Sequence, residues 1–270
     1  MDNRISITVE NGVADVRLIR SDKMNALDGQ MFEALIEAGD VVSKDKTVRC
    51  VVMSGEGRAF CAGLDMGNFG KISEGESGAT KEREPLAVRT HGIANRAQQA
   101  VWAWRRCPVP VIAAVHGVAF GGGFQVMLGS DIRIVHPETK LSIMEIKWGL
   151  VPDMAGTALM REPARGDVVR ELTYTGRVFS GAPAVDYGFA ARTADDPYTE
   201  SMALAKEIAS KSPSAIQAAK GIFNAVATMD DAGVLLQESI AQDSVMGRAN
   251  QIEAVMAGMQ KRDGAFEDVR

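Results

Sequence analysis

The stretch PVIAAVHGVAFGGGFQVML, Pro110 to Leu128, passes from apolar, β-branched residues through a glycine-rich turn into a short helical pattern. Val109 to Val115 predicts a strand, Gly117 to Gly123 a tight turn, Phe124 to Leu128 a helix and Ile132 to Val135 a further strand. The same order occurs upstream. Val48 to Ser54 is an apolar run of strand length, and it leads into the first glycine-containing turn of the chain, from Gly55 to Asp65, Gly117 to Gly123 being the second. Before it, Met31, Leu35, Ile36 and Ala38 recur at helical spacing within Asp28 to Val42, and Ile5 to Leu18 alternates around Asn11 and Gly12 as a hairpin does. Asn68 to Glu84 reads as a mobile loop and Pro85 to Arg106 as a helix. Strands that alternate with glycine turns and helices predict an α/β domain.

Beyond Tyr198 the pattern is helical throughout: Ala203 to Lys211, Ala215 to Thr228, Val234 to Gly247 and Gln251 to Gln260. This divides the chain into a core over 1–197 and a helical region over 198–270. Met246, Ile252, Val255, Met256 and Met259 form an apolar stripe that packs either on its own domain or on a partner subunit.

Composition narrows the function classes. The 270 residues include 46% hydrophobic and 24% charged side chains, a globular balance, and 30 Lys plus Arg against 35 Asp plus Glu give a net charge of −5. Such a charge offers no field for nucleic acid or an anionic membrane. Cys50, Cys61 and Cys107 are too few and too scattered for a disulfide scaffold or a thiolate metal site. Charges at Asp2, Arg4, Glu10, Asp15, Arg17 and Arg20 interrupt any apolar leader, and no run is long enough to span a bilayer, so the expected location is cytoplasmic.

Each glycine turn follows a strand, where small residues let the backbone approach a ligand and leave N–H groups pointing outward. The second also opens a helix, whose free amides and dipole favour a negative oxygen. Two such turns facing one another make an oxyanion hole. Neither ends in the Gly-Lys-Ser/Thr of a phosphate loop or has the spacing of a dinucleotide fingerprint. Glu145 lies in the otherwise apolar SIMEIKWGL and is read as functional rather than as a surface glutamate. Asp153, ahead of the helical-looking Met154 to Met160, is either a helix cap or a second acidic group. His116 reads as a hydrogen-bonded supporting residue, and Cys61 as a packed side chain with no base beside it. The tryptophans, Trp102, Trp104 and Trp148, read as core or tunnel lining. Met66, Phe69 and the stretch to Glu84 are expected to border a pocket.

The strings AFCAGLD (Ala59 to Asp65), PVIAAVHGVAFGGG (Pro110 to Gly123), MEIKWGLVPDMAGT (Met144 to Thr157) and YTGRVFSGAPAVDYGFA (Tyr174 to Ala190) resemble the enoyl-CoA hydratase/isomerase, or crotonase, superfamily. The resemblance runs from RSDKMNAL (Arg20 to Leu27) to QKRDGAF (Gln260 to Phe266). It implies a ββα spiral core, a C-terminal α-helical region that trimerises, and trimers that pair into hexamers. It further implies an acyl-CoA thioester substrate, with coenzyme A as part of that substrate and no cofactor or metal. By position, the amides of Leu64 and Gly122 would grip the thioester oxygen, the carbonyl of Ala62 would face the adenine, and Lys23, Arg58 and Lys261 would meet CoA phosphates.

Family hydratases carry two glutamates, and the corresponding positions here hold Gln125 and Glu145. A glutamine neither takes nor gives a proton at neutral pH. The single glutamate matches family isomerases, in which it shuttles a proton between two carbons, and Asp153 stands where dienoyl-CoA isomerases place an additional aspartate. Expected function is therefore double-bond isomerisation through Glu145. The alternatives are hydration with Gln125 holding the water, or acyl-CoA binding without chemistry.

Overall fold

The computed structural model describes Met1, residues 3–65, Gly67 and residues 85–269. Strands β1 (Ile5–Glu10) and β2 (Val13–Leu18) form the expected antiparallel hairpin. Asn11 and Gly12, at φ 51° and 80°, supply the paired left-handed residues that match a two-residue turn to the strand twist. Helix α1 (Gly29–Lys44) starts where Asp28 accepts a hydrogen bond from the Met31 amide, and β3 (Cys50–Gly55) follows.

Helix α2 is shorter than its pattern. It covers Arg96–Arg106 rather than 85–106, because Asn95 and Gln98 form a reciprocal cap that starts it there and Gly92 turns the preceding chain at φ 67°. Next come β4 (Val111–Val115), β5 (Val118–Phe120), α3 (Gly122–Leu128), β6 (Ile132–Val135) and β7 (Lys140–Ser142). The expected second glycine turn thus contains a strand. Gly117 and Gly121, at φ 65° and 50°, bend the chain on either side of β5, which pairs in parallel with β7. That partner lies twenty residues on, out of reach of local pattern. A 3₁₀ turn (Glu145–Trp148), α4 (Gly156–Met160), α5 (Gly166–Thr175), β8 (Phe179–Ser180), α6 (Gly181–Asp186) and β9 (Arg192–Thr193) complete the core.

The main sheet has the order β1-β2-β3-β4-β6-β9, parallel from β2 onward, and β5-β7-β8 form a second sheet. Both faces of the central strands are covered, which is why they read as unbroken apolar runs. Val51 and Met53 of β3 face the larger core with Phe60, Trp104 and Phe124. Cys50 and Val52 face the other way, against Ala205 and Ala209. Those two alanines belong to α7 (Pro197–Ala209), so the first helix after residue 197 is a layer of the sheet and not an appendage. Only α8 (Pro213–Val226), α9 (Asp231–Val245) and α10 (Ala249–Gln260) extend beyond it. α9 has no buried residue, and Phe223, Leu235, Leu236, Ile240, Met246, Ile252, Val255, Met256 and Met259 are exposed. Among the described residues no helix is long and apolar enough to cross a membrane.

The two glycine turns are sewn together by backbone. Cys61 bridges Ala119 in parallel register, with the Cys61 amide donating to Val118 O (3.1 Å) and the Phe120 amide to Cys61 O (3.2 Å). Gly63, at φ 90°, has no room for a side chain: a methyl there would lie 2.5 Å from the Phe120 carbonyl oxygen. Gly63→Ala should therefore lower folding stability by about 2 kcal/mol or more, from left-handed strain and steric clash together. Urea unfolding followed by tryptophan fluorescence checks this, and an unchanged midpoint would contradict the close approach of the turns.

Candidate active site

The seam between the turns orients two amides. Leu27 bridges Leu64 in parallel: the Leu27 amide donates to Gly63 O (2.8 Å) and the Asp65 amide to Leu27 O (3.0 Å). Because both bonds use the neighbours of Leu64, its own N–H points away from Leu27. Arg20 fixes the exit of this turn, pairing with Asp65 at 2.6 Å and donating to Ala26 O at 2.9 Å. Asn25, fully buried, donates to the Ala59 and Glu56 carbonyls (2.8 and 3.1 Å) and holds its entrance. On the second turn Gly122 is the first residue of α3, so its amide has no partner within the helix. A methyl on Gly63 would lie 3.8 Å from the Gly122 nitrogen, which shows how nearly the turns meet. Among the described residues neither the Leu64 nor the Gly122 amide finds an acceptor. Leu27 and Met154 close in on Gly122, so that a side chain there would meet Leu27 Cδ1 at 2.7 Å and Met154 Sδ at 3.0 Å.

Glu145 opens the 3₁₀ turn after β7 and is only 8% exposed. Its Oε1 accepts a hydrogen bond from Gln125 Nε2 at 2.6 Å, and it stands over the Gly121 bend, where a methyl would lie 3.5 Å from that oxygen. The other oxygen, Oε2, is buried and has no partner among the described residues. Burial holds the Glu145 carboxyl above the usual range; its own amide and the Gln125 amide pull it down, and the Asp153 charge pushes it further up.

Asp153 is exposed in the loop leading to α4. It does not cap that helix: the N-cap is Ala155, in left-handed backbone at φ 68°, with no side-chain bond. The backbone of this loop is held instead by Gln125, whose Oε1 accepts from the Met154 and Gly156 amides at 2.8 and 2.9 Å.

His116 Nε2 bonds the Gly57 carbonyl at 2.9 Å. Burial pushes the Cys61 thiol up to about 12, and its sulfur bonds the Asn25 carbonyl at 3.1 Å, so this thiol is packing and not a nucleophile. Trp104 is wholly in the core, whereas Trp148 is 42% exposed, with Lys147 over its ring. Lys23 and Arg58 are exposed along one edge of the first turn, where the Ala62 amide donates to Met24 O (2.9 Å) and Gly57 abuts Ser21. Lys261, also exposed, closes α10 at φ 53°. No contact among the described residues joins it to that edge. Met66, Phe69 and the stretch to Glu84 lie outside the described residues.

Glu145, Gln125, Gly122 and the Met154 loop thus converge on the seam that carries Leu64. Leu27, Asn25 and Arg20 are parts of the site for which local pattern gave no signal, whereas Gly121 fell within the expected glycine turn. Only the RSDKMNAL string contained the first three. No group of three or more His, Cys, Asp or Glu among the described residues is placed to hold a metal.

Comparison with known proteins identifies the family. The family described as enoyl-CoA hydratase/isomerase matches residues 8–269. A mouse protein named mitochondrial Delta(3,5)-Delta(2,4)-dienoyl-CoA isomerase is 32% identical over 95% of this chain and 79% of its own length. A Bacillus subtilis protein named probable enoyl-CoA hydratase is 29% identical, covering 98% of this chain and 99% of its own. The crystal structure of an enoyl-CoA hydratase from Bacillus anthracis superposes with a TM-score of 0.87 at 25% identity, over 97% of this chain and 98% of that one. The protein therefore belongs to the enoyl-CoA hydratase/isomerase family of enzymes, and its α/β core is the crotonase fold.

Proposed function

We propose that this enzyme moves a carbon–carbon double bond within an acyl-CoA thioester, with Glu145 as the proton shuttle. The observation that carries the reading is the buried Glu145 carboxylate with one oxygen unpartnered among the described residues, near the Leu64 and Gly122 amides, which likewise find no acceptor among them. The thioester oxygen accepts hydrogen bonds from the Leu64 and Gly122 amides. Glu145 Oε2 removes a proton from the carbon next to that carbonyl, and the electron pair of the broken C–H bond flows onto the oxygen as an enolate. Fixed N–H donors stabilise such charge by roughly 3 to 4 kcal/mol each. Glu145 then returns the proton to a different carbon, so the double bond has moved and the mass is unchanged. Asp153 stands at the mouth as a second acidic group. Lys23, Arg58 and Ala62 meet the CoA moiety, with Lys261 supplied by a neighbouring subunit, and no separate cofactor takes part.

Hydration finds less support. It needs a second group that carries a proton, and the Gln125 oxygen, which would hold a water, is occupied by the Met154 and Gly156 amides. We further read the exposed apolar faces of α8–α10 as the surface of a homotrimer, or of a dimer of trimers, with the part of the 198–270 region that follows α7 serving assembly. A trimer covers faces that a single chain leaves wet.

Purified protein given 3-enoyl-, 3,5-dienoyl- and trans-2-enoyl-CoA esters in separate reactions should yield an isomer of unchanged mass by chromatography with mass detection. A product heavier by one water as the dominant outcome overturns the reading. Glu145→Gln should lower kcat by about 100-fold or more while ester binding stays intact. The kcat–pH profile of the wild type should show an acidic limb above the ordinary glutamate range, because the base works only when ionised and burial resists ionisation. Asp153→Asn removes a negative neighbour and should move that limb down. Sedimentation should give the mass of three or six chains, reduced in a Leu235→Asp, Leu236→Asp variant; a single-chain mass for the wild type would refute the assembly.

A further inference from the structure

The Gln125 side chain has all the marks of a brace. Its carbonyl oxygen accepts two backbone N–H groups, from Met154 and Gly156, which uses both lone pairs and fixes which end of the amide is oxygen. The nitrogen end must then face Glu145, and it donates to Oε1 at 2.6 Å. No slack remains for another arrangement. Gln125 is 1% exposed, and Gly156 presses on it so closely that a methyl there would lie 2.6 Å from the Gln125 oxygen. Gly121 sits against Glu145 from the other side.

We infer that Gln125 is a positioning residue: it ties the Glu145 carboxylate to the Met154–Gly156 backbone, commits Oε1 to a hydrogen bond and leaves Oε2 as the one oxygen that exchanges the proton. This deepens the isomerase reading and rests on it for the identity of the base. A carboxylate has four lone-pair directions on two oxygens, and a base that must lift a proton from one carbon and deliver it to another gains from offering a single, fixed oxygen to both. The neutral amide suits the task. It donates to the ionised form of Glu145 without adding a charge, and a hydrogen bond to the ionised form draws the carboxyl back toward ionisation against the cost of burial. The same side chain sets the path of the loop that carries Asp153, the charged group bearing on Glu145. Arg170 and Glu171 of α5, the helix packed on the Glu145 turn, are exposed, and Glu171 is paired with Arg177 at 2.8 Å.

The test compares Gln125→Met, which keeps length and loses both hydrogen-bonding ends, with Gln125→Glu, which keeps the acceptor for the Met154 and Gly156 amides. In Gln125→Met, kcat should fall about ten- to a hundredfold with KM within about twofold, as expected when a base is misplaced and binding is spared. Its acidic limb should rise by about one pH unit, since the donor that favoured the ionised form is gone. In Gln125→Glu two carboxyl groups stand at hydrogen-bond distance and titrate as a pair. The kcat–pH profile should gain an ionisation above the ordinary carboxylate range that the wild type lacks. Infrared titration of the Glu145 carboxyl band, assigned by its loss in Glu145→Gln, reads the same shifts with no substrate present. It therefore separates failure of the brace from failure of the isomerase reading, which product analysis alone decides. Wild-type kcat and an unmoved Glu145 titration in Gln125→Met overturn the inference. Should Gln125→Met not fold, two independent, ordinary carboxyl titrations in Gln125→Glu overturn it equally.

Discussion

The close approach of two glycine turns, with Gly63 lodged against the Phe120 carbonyl, is the constraint on which the rest of the site depends. Two pieces of backbone meet where no side chain fits; the parallel bridge from Cys61 to Ala119 holds them in register, and that from Leu27 to Leu64 braces the first turn from its other side. The consequence is an asymmetry in hydrogen bonding. Neighbours of Leu64 spend their groups on Leu27, and the turn before Gly122 spends its own on Cys61 and Ser142, so the Leu64 and Gly122 amides are left without an acceptor among the described residues. Half-buried amides without an acceptor of their own are free to donate, which makes such a pair a standing attraction for an oxygen that carries charge. The aromatic packing of Phe124 on Phe189, ring centres 5.2 Å apart, anchors α3 and so fixes where its first amide points.

Glu145 is subject to opposed electrostatic demands. Removal from water and the charge of Asp153 favour the neutral acid, while the Gln125 amide favours the anion. A carboxyl driven wholly to the acid would be no base at neutral pH, and one wholly stabilised as the anion would hold its charge too well to accept a proton. Balance between the two brings basicity closer to the working pH, where proton transfer is most effective. Asp153 raises the Glu145 carboxyl from a solvent-exposed loop, so its influence is open to screening in a way that burial is not.

Much of this was legible in the sequence, and the boundary is physical. The hairpin, α1, β6 and the C-terminal helices follow from local periodicity and turn residues, and so do the two glycine turns. β5 and β7 were not legible. Each is three residues long and is set by partners distant in the chain, β5 by β7 and β7 by both β5 and β8. The first eleven residues expected of α2 are lost to a cap whose two halves, Asn95 and Gln98, had to be recognised together. Helix α7 reads like its successors along the chain, yet small residues at 205 and 209 let it lie flat on the sheet. At the site, Glu145 was visible as an acidic residue in an apolar setting, and Asp153 as either a helix cap or a second acidic group. Asp153 as a cap was a reasonable reading of local spacing, and it fails because Ala155 takes the left-handed conformation that starts α4.

Gln125 shows where such reading stops. Taken alone, a glutamine in place of a carboxylate signals a loss: one proton carrier fewer, and a polar group free to hold water. Its surroundings give the opposite sense. Both ends of the amide are engaged, on one side by the backbone at Met154 and Gly156 and on the other by the carboxylate itself. A second carboxylate in the same place would set two like charges at hydrogen-bond distance, and the pair would share a proton instead of leaving one base ready. An amide avoids that conflict while keeping the geometry. On the proposed isomerisation, the glutamine that removes one chemical possibility also defines the other more sharply, since a lone base with a single free oxygen suits a reaction that moves one proton between two carbons.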